Sequence, residues 1–343
     1  MGRLLVIFTG GTIASGFDGR GKVPLSGTSR RLHDSLRQIL AERGLEMEFC
    51  QPLGDPGIDS SEMDPGSWLL ISRCIARELE RGLAGVLILH GTDTMANTAA
   101  WLNLCFGHLP IPVILTGSQL TLDYMTEDVT TNLRGAAMAC CADLKGVWIY
   151  FNWKLIPGDS AHKAHAMHPD AFRVINGQPL YFNPEWALGS AEVCDRQADK
   201  SQMPWEVGQM LELDPQELRT RCARISWYFA QPGTVFHGND DDAILCLLGY
   251  GAGNLSPAVL DQLEKTYVGR RKPLIVACSQ AEGGIKNPSS YDGVGMARLT
   301  RAGFSVWNQT ERSAEFVHSL CCYALAVAPG APQTVLARYL RRC

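Results

Sequence analysis

The chain has 343 residues, which is long enough for two domains of ordinary size, each with its own hydrophobic core. Hydrophobic residues make up 46% of the chain and charged residues 19%, a balance that is typical of a folded globular protein and excludes a disordered one. The formal net charge of -4 gives no basic surface for phosphate backbones or anionic lipids, so we expect neither nucleic acid nor a membrane among its partners.

Short, continuous apolar runs alternate along the chain with longer segments of helical pattern. In chain order, the runs are RLLVIF (3–8), AGVLILH (84–90), PVILTG (112–117), GVWIYF (146–151), ISWYFA (225–230), AILCLLGY (243–250), PLIVAC (273–278) and FSVWN (304–308). Continuous apolar runs are typical of strands buried on both faces, as in a parallel sheet covered by helices. Segments such as 67–82 and 257–271 supply such helices, so the sequence predicts a doubly wound, mainly parallel α/β fold.

A polar, weakly periodic stretch interrupts this alternation after residue 190. Stretches of this kind usually connect folded units. We therefore predict a larger N-terminal domain over 1–190, a linker over 191–220 and a smaller C-terminal α/β domain over 221–343.

The cysteines and the N-terminal residues indicate the cellular compartment. No two of the twelve cysteines have C-x-x-C spacing, which disfavours a zinc site or a thioredoxin-type redox motif and favours mostly reduced, buried thiols. The apolar run from Leu4 to Phe8 is too short for the core of a signal peptide. No stretch approaches the roughly 20 apolar residues of a membrane helix. We therefore expect a cytoplasmic protein.

Polar clusters follow three of the predicted strands. Thr9-Gly10-Gly11-Thr12 follows the first, residues 90–94 (HGTDT) follow the second, and Ser118-Gln119 follows the third. In open α/β sheets, ligands bind in the crevice at the carboxyl ends of the strands. Two glycines allow a substrate to approach main-chain N–H groups, with the Thr12 hydroxyl projecting beside it. Each cluster also has a simpler interpretation, as a turn for the first and third and as a helix cap for the second.

A threonine hydroxyl becomes a nucleophile only beside a base or an organised proton acceptor. Lys163 is the candidate, in a small-residue loop predicted after 146–151, although a solvated surface lysine is the simpler interpretation. His162, His165 and His168 are spaced three apart, but no carboxylate or cysteine joins them at ligand spacing, so we expect no metal site. Residues 247–256 (LLGYGAGNLS) lack the G-x-G-x-x-G order, so we expect a crevice loop that exposes Asn254 and no dinucleotide cofactor.

Three of these motifs together resemble the bacterial-type L-asparaginases, and most closely their cytoplasmic (type I) group. The motifs are IFTGGTIA (7–14), GVLILHGTDTM (85–95) and VILTGSQ (113–119), and DSSEM (59–63), TEDVTTNLRGA (126–136), KAH (163–165) and YGAGN (250–254) also fall in family order. The resemblance runs through most of the chain and is loosest in the linker and toward the C-terminus. It implies hydrolysis of the side-chain amide of L-asparagine to L-aspartate and ammonia, without a metal or an organic cofactor.

The resemblance assigns catalytic roles to four residues. It implies that Thr12 is the primary nucleophile. It also implies that Thr92, Asp93 and Lys163 supply a second hydroxyl, a carboxylate and an amine. Main-chain N–H groups around Thr92 would stabilise the developing oxyanion. A covalent acyl intermediate and direct attack by a water oriented by Thr92 both stay open.

The resemblance also implies substrate-binding residues and an oligomer. Asp93 would bind the α-amino group of the substrate, and Ser60, with Asp59 beside it, would bind the α-carboxylate. Ser118 is a further candidate for substrate binding. Asn254 matches a residue that family members lend to the active site of a neighbouring subunit, which implies a homodimer or a homotetramer.

One segment departs from the family. Residues 15–29 (SGFDGRGKVPLSGTS) are rich in glycine and small polar residues, as expected of a mobile lid over an active site. Family members carry a lid tyrosine that helps to polarise the nucleophile, whereas this chain has no tyrosine before residue 124 and has Gly21 and Lys22 in that region. A lysine ammonium stabilises negative charge but cannot pass on a phenolic proton.

Two alternative functions stay open at this point. The first is a glutaminase or a related amino-acid amidase, because asparagine and glutamine differ by one methylene, which is worth only about 1–3 kcal/mol in a pocket. The second is a non-catalytic protein that binds asparagine as a regulator. The reason to consider it is the missing lid tyrosine.

Overall fold

The fold is described from a computed structural model of the chain. The structure describes residues 2–11, 15–17, 22–24, 28–120, 127–183, 198–283, 291 and 293–343, and at 15–17, 22–24, 28–31 and 127–130 it describes the backbone alone. The chain divides into two compact units. The first comprises Met1–Val174 and Gln178–Pro215, and the second comprises Ile175–Gly177 and Gln216–Cys343.

The first unit contains a large mixed sheet with helices and two short antiparallel ribbons. Its described elements are β1 Gly2–Phe8, β2 Ser15–Phe17, β3 Lys22–Pro24, α1 Thr28–Ala41, β4 Leu45–Cys50, α2 Pro65–Leu79, β5 Gly85–Leu89, α3 Met95–Phe106, β6 Pro112–Thr116, α4 Glu127–Ala139, β7 Gly146–Phe151, β8 Lys154–Pro157, β9 Ala161–Lys163, β10 Phe172–Val174, β11 Leu180–Tyr181 and α5 Trp205–Leu211. Short 3₁₀ helices cover Ser60–Glu62 and Lys200–Gln202.

The strand order of the large sheet is β11-β8-β7-β6-β5-β1-β4. The pairs from β4 through β7 are parallel, and β8 and β11 extend the sheet in antiparallel pairing. The chain passes from β1 to β4 on one side and then returns to β5 on the other, so the strand order reverses at β1. This reversal is the topological switch point at which doubly wound sheets bind their ligands.

Both faces of the large sheet are covered. Leu4, Val6 and Phe8 of β1 belong to a buried cluster with residues of α1 and α4, and Leu5 and Ile7, which point to the opposite face, are also fully buried. All five residues of β5 and of β6 are buried as well. Covered faces explain why these strands have continuous apolar sequences, since neither side chain direction meets water.

Two helices begin at side-chain caps that the sequence analysis did not single out. Asp64 caps α2, because its carboxylate accepts a hydrogen bond from Ser67 N at 2.8 Å and proline occupies the first helical position. Ser256 caps α7 (Pro257–Thr266) in the same way, through Val259 N. These caps fix where each helix begins relative to the preceding strand or loop.

Cys50 and Cys74 form a disulfide, which the sequence analysis did not predict. It links the end of β4 to α2 and therefore encloses the connecting segment that carries Asp59 and Ser60. The other described cysteines have free thiols, and all of them except Cys343 are buried. Cys194 lies outside the described residues.

The second unit is a smaller α/β layer structure. Its described elements are α6 Pro215–Cys222, whose first residue closes the first unit, β12 Ile225–Phe229, β13 Ile244–Gly249, α7 Pro257–Thr266, β14 Leu274–Ser279, α8 Ala297–Arg301, β15 Val306–Asn308, α9 Ala314–Val327, α10 Pro332–Tyr339 and β16 Arg341–Arg342. The strands run in the order β12-β13-β14-β15-β16, with only the last pair antiparallel. Leu245, Leu247, Leu260 and Leu263 are among the residues of its apolar core.

The predicted fold class is confirmed, and each of the eight apolar runs contains a strand. Strand β4 was not predicted, because LEMEFC alternates charged and apolar residues as an edge strand does. The domain limits of 1–190, 191–220 and 221–343 stay a prediction, and α5 and most of α6 fall within the range predicted as a linker. Within the part of the chain that the structure describes, no helix combines the length and the apolar character needed to span a bilayer.

Candidate active site

The segments that follow β1, β5 and β6 leave the sheet side by side at the switch point. The backbone N–H of Thr9 and its hydroxyl both donate to Leu89 O, each at 3.0 Å. The N–H of His90 donates to Thr116 O at 2.8 Å. These bonds continue the parallel pairing for one residue beyond each strand, so the three predicted motifs start from adjacent points on one edge of the sheet.

Backbone packs against backbone at this edge. Gly11 has φ +87°, and a Cβ there would lie 2.4 Å from Gly91 Cα. A Cβ at Gly91 would in turn lie 2.5 Å from Ser60 Oγ. The N–H of Gly11 also donates to Ile58 O at 3.2 Å. A larger residue than glycine would clash at position 11 and at position 91. The two glycines therefore allow the chain segments that begin at residues 9, 57 and 90 to pack closely together.

Lys163 joins two of the predicted catalytic residues. Its Nζ donates to Thr92 Oγ1 at 2.9 Å and to Asp93 Oδ1 at 2.5 Å. Thr92 is buried, and the side chain of Lys163 is 15% exposed, whereas that of Asp93 is 59% exposed. The structure therefore brings a hydroxyl, a carboxylate and an ammonium group together, and the carboxylate keeps an open side on which a second cation can bind.

The location of Lys163 corrects one detail of the sequence analysis. Lys163 was expected in a loop, but it ends strand β9, which pairs with β10 through Lys163 and Phe172. Flanking alanine and histidine residues gave no strand signal, since a three-residue strand is too short for an apolar pattern. A strand holds the lysine backbone more firmly than a loop does.

Ser60 and Asp59 lie on the adjoining segment. Ser60 Oγ accepts a hydrogen bond from Asp93 N at 3.2 Å, and Ser60 O accepts one from the Thr94 hydroxyl at 2.6 Å. The carboxylate of Asp59 caps the 3₁₀ turn by accepting from Ser61 N and from the Ser61 hydroxyl, at 2.8 Å and 2.7 Å. Ser60 is thus tied directly to the Thr92-Asp93 segment, while Asp59 holds the turn that presents it.

His90 holds the segment that carries Thr92 and Asp93 through buried hydrogen bonds. The sequence analysis did not assign this role. Its Nδ1 lies 2.7 Å from Gly91 O, which can only accept, so this nitrogen carries the hydrogen. Its Nε2 accepts from the Thr98 hydroxyl at 2.9 Å, because a neutral imidazole with its hydrogen on Nδ1 has only an acceptor at Nε2, and Thr98 Oγ1 in turn accepts from the Trp68 indole at 3.0 Å. Burial lowers the pKa of His90 to about 4, although the hydrogen bond with Gly91 acts in the opposite direction.

This neutral histidine makes stability depend on pH. The unfolded chain takes up a proton at His90 near pH 6.5, whereas the folded chain does so only near pH 4, so the stability that His90 contributes is complete above pH 6.5 and is lost as the pH falls toward 4. We expect the free energy of unfolding in urea to fall by about 2–3 kcal/mol more between pH 7.5 and pH 4.5 in the wild type than in His90→Gln. The exposed His108→Gln is the control and should keep the wild-type slope. Equal slopes in all three proteins would contradict the assignment.

Ser118 and Gln119 lie on the segment after β6, and Gln119 contacts Thr92. The Ser118 hydroxyl donates to Leu120 O at 2.5 Å. Thr92 Oγ1 lies 3.2 Å from Gln119 Oε1, a contact that the sequence analysis missed when it interpreted Ser118-Gln119 as a polar turn. The contact between Thr92 and Gln119 depends on the ends of β5 and β6 lying side by side in the sheet, which the local sequence does not show.

The other predicted residues fall elsewhere. Asn254 lies in the second unit, in a turn closed by its N–H to Tyr250 O at 2.8 Å, and its Oδ1 is buried without a hydrogen-bond partner among the described residues. Lys22 begins β3, where its backbone pairs with Phe17. Thr12 and Gly21 lie outside the described residues.

The histidines near Lys163 form no cluster that could hold a metal ion within the described part of the chain. Among the residues whose positions are described, no group of three or more histidine, cysteine, aspartate or glutamate side chains is arranged to hold a metal ion. His165 and His168 instead face each other, with ring centroids 5.4 Å apart, in the bend that follows β9.

Comparisons with known proteins identify the family of the chain. The family model described as asparaginase, N-terminal, matches residues 3–187. An L-asparaginase of Thermococcus kodakarensis is 30% identical over 294 residues, 82% of each chain, and L-asparaginase 1 of Escherichia coli is 36% identical over 178 residues, 52% of each chain. A solved structure described as the thermostable L-asparaginase from Thermococcus kodakarensis superposes with a TM-score of 0.71 at 25% identity, and the match covers 97% of this chain and 96% of that chain.

The matched region contains β1, β5 and β6 with their motifs, and the full-length superposition extends the likeness to both units. The chain is therefore a member of the L-asparaginase family and an enzyme of that family.

Proposed function

We propose that the protein hydrolyses the side-chain amide of L-asparagine to L-aspartate and ammonia, with Thr12 as the nucleophile. The observation that carries this proposal is the Lys163 ammonium group bonded to both Thr92 and Asp93, on the segment whose Gly91 packs directly against Gly11. Thr12 is the next residue in the chain after Gly11. A nucleophile there would begin its reaction beside an organised set of proton donors and acceptors.

The proposed chemistry is acyl transfer. The Thr12 hydroxyl attacks the amide carbon and gives up its proton, the nitrogen takes a proton and leaves as ammonia, and a water then hydrolyses the acyl ester to release aspartate. Lys163 donates to Thr92 Oγ1 at 2.9 Å, so the Thr92 hydroxyl is held in place to accept a hydrogen bond from Thr12, and the proton of Thr12 passes to the departing nitrogen. Backbone N–H groups near Thr92 would stabilise the oxyanion.

The proposed substrate contacts follow from charge. The exposed oxygen of Asp93 suits the α-ammonium group of an amino acid, and the Ser60 hydroxyl suits its α-carboxylate, with Asp59 holding the turn. Ser118 lies on the neighbouring segment with a hydroxyl whose hydrogen is directed to Leu120 O, which leaves its oxygen as an acceptor. Gly21 and Lys22 would belong to a lid that closes over the bound substrate.

We also propose a homodimer or homotetramer in the cytoplasm. The oligomer is supported by the resemblance of the YGAGN motif, in which Asn254 matches a residue that family members lend to a neighbouring subunit. Apart from the Cys50–Cys74 disulfide, which does not favour a reducing compartment, the described cysteines are free, and buried thiols such as Cys140 and Cys321 suit one. Sedimentation as a monomer at catalytic concentrations would contradict the oligomer.

The decisive experiment measures ammonia release by Thr12→Ala. We expect loss of asparagine turnover by roughly 10³-fold or more, because no other group in the proposed scheme forms the acyl bond. Circular dichroism and the melting temperature should stay near the wild-type values. Thr12→Ser, which keeps a hydroxyl, is the matched control and should retain measurable turnover.

Parallel kinetics on asparagine and glutamine test the substrate. One methylene allows a preference of roughly 10- to 200-fold, and we expect asparagine to have the higher kcat/KM. A preference for glutamine would indicate a glutaminase instead. Tight binding of asparagine by calorimetry without ammonia release would indicate a non-catalytic binding protein, and normal turnover by Thr12→Ala would refute the nucleophile.

A further inference from the structure

The carboxamide of Gln119 has a fixed orientation. Its Nε2 lies within hydrogen-bond distance of three carbonyl oxygens, those of Ala166 at 3.2 Å, His168 at 3.3 Å and His165 at 3.5 Å. A flipped amide would place its own oxygen against these three acceptors, which repel it. The nitrogen therefore faces the bend after β9, and Oε1 faces Thr92. The side chain is 8% exposed, so water does not compete for these contacts.

This orientation determines where the Thr92 hydrogen points. Lys163 Nζ is a donor to Thr92 Oγ1 and occupies one of its lone pairs. Gln119 Oε1, at 3.2 Å, can only accept, so the hydroxyl hydrogen of Thr92 is directed to it. One lone pair of Thr92 is left, and the hydroxyl therefore offers an acceptor rather than a donor to any further group that approaches it.

The bend that Gln119 contacts is itself anchored. Its ends are joined by bonds from Ala164 N and His165 N to Ala171 O, at 2.7 Å and 3.2 Å. Lys154, 8% exposed at its side chain, forms an ion pair with Asp170 and donates to Phe172 O at 3.3 Å. Gln119 thus connects Thr92 to the bend after β9. This bend is held by the bonds given above and continues directly from the strand that carries Lys163.

The pKa of Asp170 is lowered, as expected for a carboxylate that forms an ion pair with Lys154. Burial alone would raise the pKa of this carboxyl, but the hydrogen bonds from Lys154 and Asn152, together with the charges of Lys154 and His168, lower it overall. Asp170 is consequently ionised under the conditions of catalysis, and its ion pair with the buried Lys154 persists there.

We propose that Gln119 is a positioning residue for the reaction, which acts by fixing the direction of the Thr92 hydroxyl hydrogen and the distance between Thr92 and Lys163. The inference rests on the proposed function, in which Thr92 accepts a hydrogen bond from Thr12 while Thr12 attacks and the proton of Thr12 passes to the departing nitrogen. With its hydrogen held by Gln119, Thr92 meets the attacking group with a lone pair in every molecule. Without Gln119 the hydrogen is free to occupy that direction and prevent the hydrogen bond that orients Thr12.

The test compares Gln119→Met with the wild type in asparagine kinetics. Methionine has nearly the same length and removes both the acceptor and the donor. We expect kcat to fall roughly 10- to 100-fold while KM changes by less than about threefold, since the lost interaction orients the reacting groups and not the substrate. Gln262→Met, which removes an amide that accepts from Phe236 N in the second unit, is the control and should keep the wild-type kcat.

A second variant gives a readout that a merely structural role would not move. In Gln119→Glu, the ionised carboxylate still accepts from Thr92 but meets three carbonyl oxygens, whereas the protonated acid donates to one of them. We therefore expect the ratio of variant to wild-type kcat to rise as the pH falls from about 8 to about 5. This variant also decides the matter if Gln119→Met does not fold.

Three results would overturn the inference. They are an unchanged kcat in Gln119→Met, a loss that KM or the unfolded fraction fully accounts for, and a pH-independent ratio in Gln119→Glu. Each of them leaves an active wild type and so leaves the proposed function intact. A wild type that releases no ammonia from asparagine would instead remove the proposed function, and this inference with it.

Discussion

Lys163→Met is expected to lower kcat for asparagine by roughly 10³-fold, within the range that a positioned acid or base contributes. Lys163 donates to both Thr92 and Asp93, so its removal leaves the hydroxyl without this donor and the carboxylate without its ion pair. Steady-state ammonia release checks the prediction. The fold should survive, because the carboxylate is 59% exposed and exposed ion pairs stabilise proteins by at most about 1 kcal/mol.

The matched control for this variant is Lys145→Met. Lys145 is an exposed lysine on the segment before β7 and has the same side chain in a solvated setting. We expect it to keep the wild-type kcat and melting temperature. If Lys163→Met retained more than about a tenth of wild-type turnover, Lys163 would have to be reinterpreted as a group that only orders Asp93.

The sequence predicts the sheet well where burial is complete on both faces. The runs that became β1, β5, β6 and β7 are continuously apolar because helices cover both sides. Strand β4 escaped prediction because it lies at an edge and only one of its six residues is buried, so its sequence alternates instead of being continuously apolar. The strands from β8 to β11 are two to four residues long, and lengths of this kind carry no periodic signal.

The site is predictable to the extent that it consists of motifs at strand ends. Thr92 and Asp93 follow β5 directly, and the parallel sheet brings that end beside the end of β1. Ser60 could be placed only through the family resemblance, since its position depends on a non-local fit against Gly91. Gln119 and His90 act through hydrogen bonds to segments 46 and 8 residues away along the chain, and no local pattern encodes such partners.

Gly11→Ala is expected to have the largest effect on stability of any change at the site. A Cβ at residue 11 would lie 2.4 Å from Gly91 Cα and 2.5 Å from Gly91 N, which are backbone atoms of a strand-linked segment that cannot rotate away. The φ of +87° adds the cost of the left-handed region for alanine, about 1–3 kcal/mol. We expect a total loss above about 4 kcal/mol, a large part of the 5–15 kcal/mol that holds a typical domain folded.

Gly54→Ala separates the two contributions, because Gly54 has φ +86° and no atom lies within 4 Å of the position of its Cβ. Its loss in urea unfolding measures the backbone cost alone, and the excess loss in Gly11→Ala then measures the contact between the β1 and β5 segments. A large excess, or a Gly11→Ala protein that does not fold at all, means that this contact is tight in solution. Equal losses in the two variants would mean that Gly11 and Gly91 are not packed together, and the proposal that Thr12 acts beside Thr92 would lose its support.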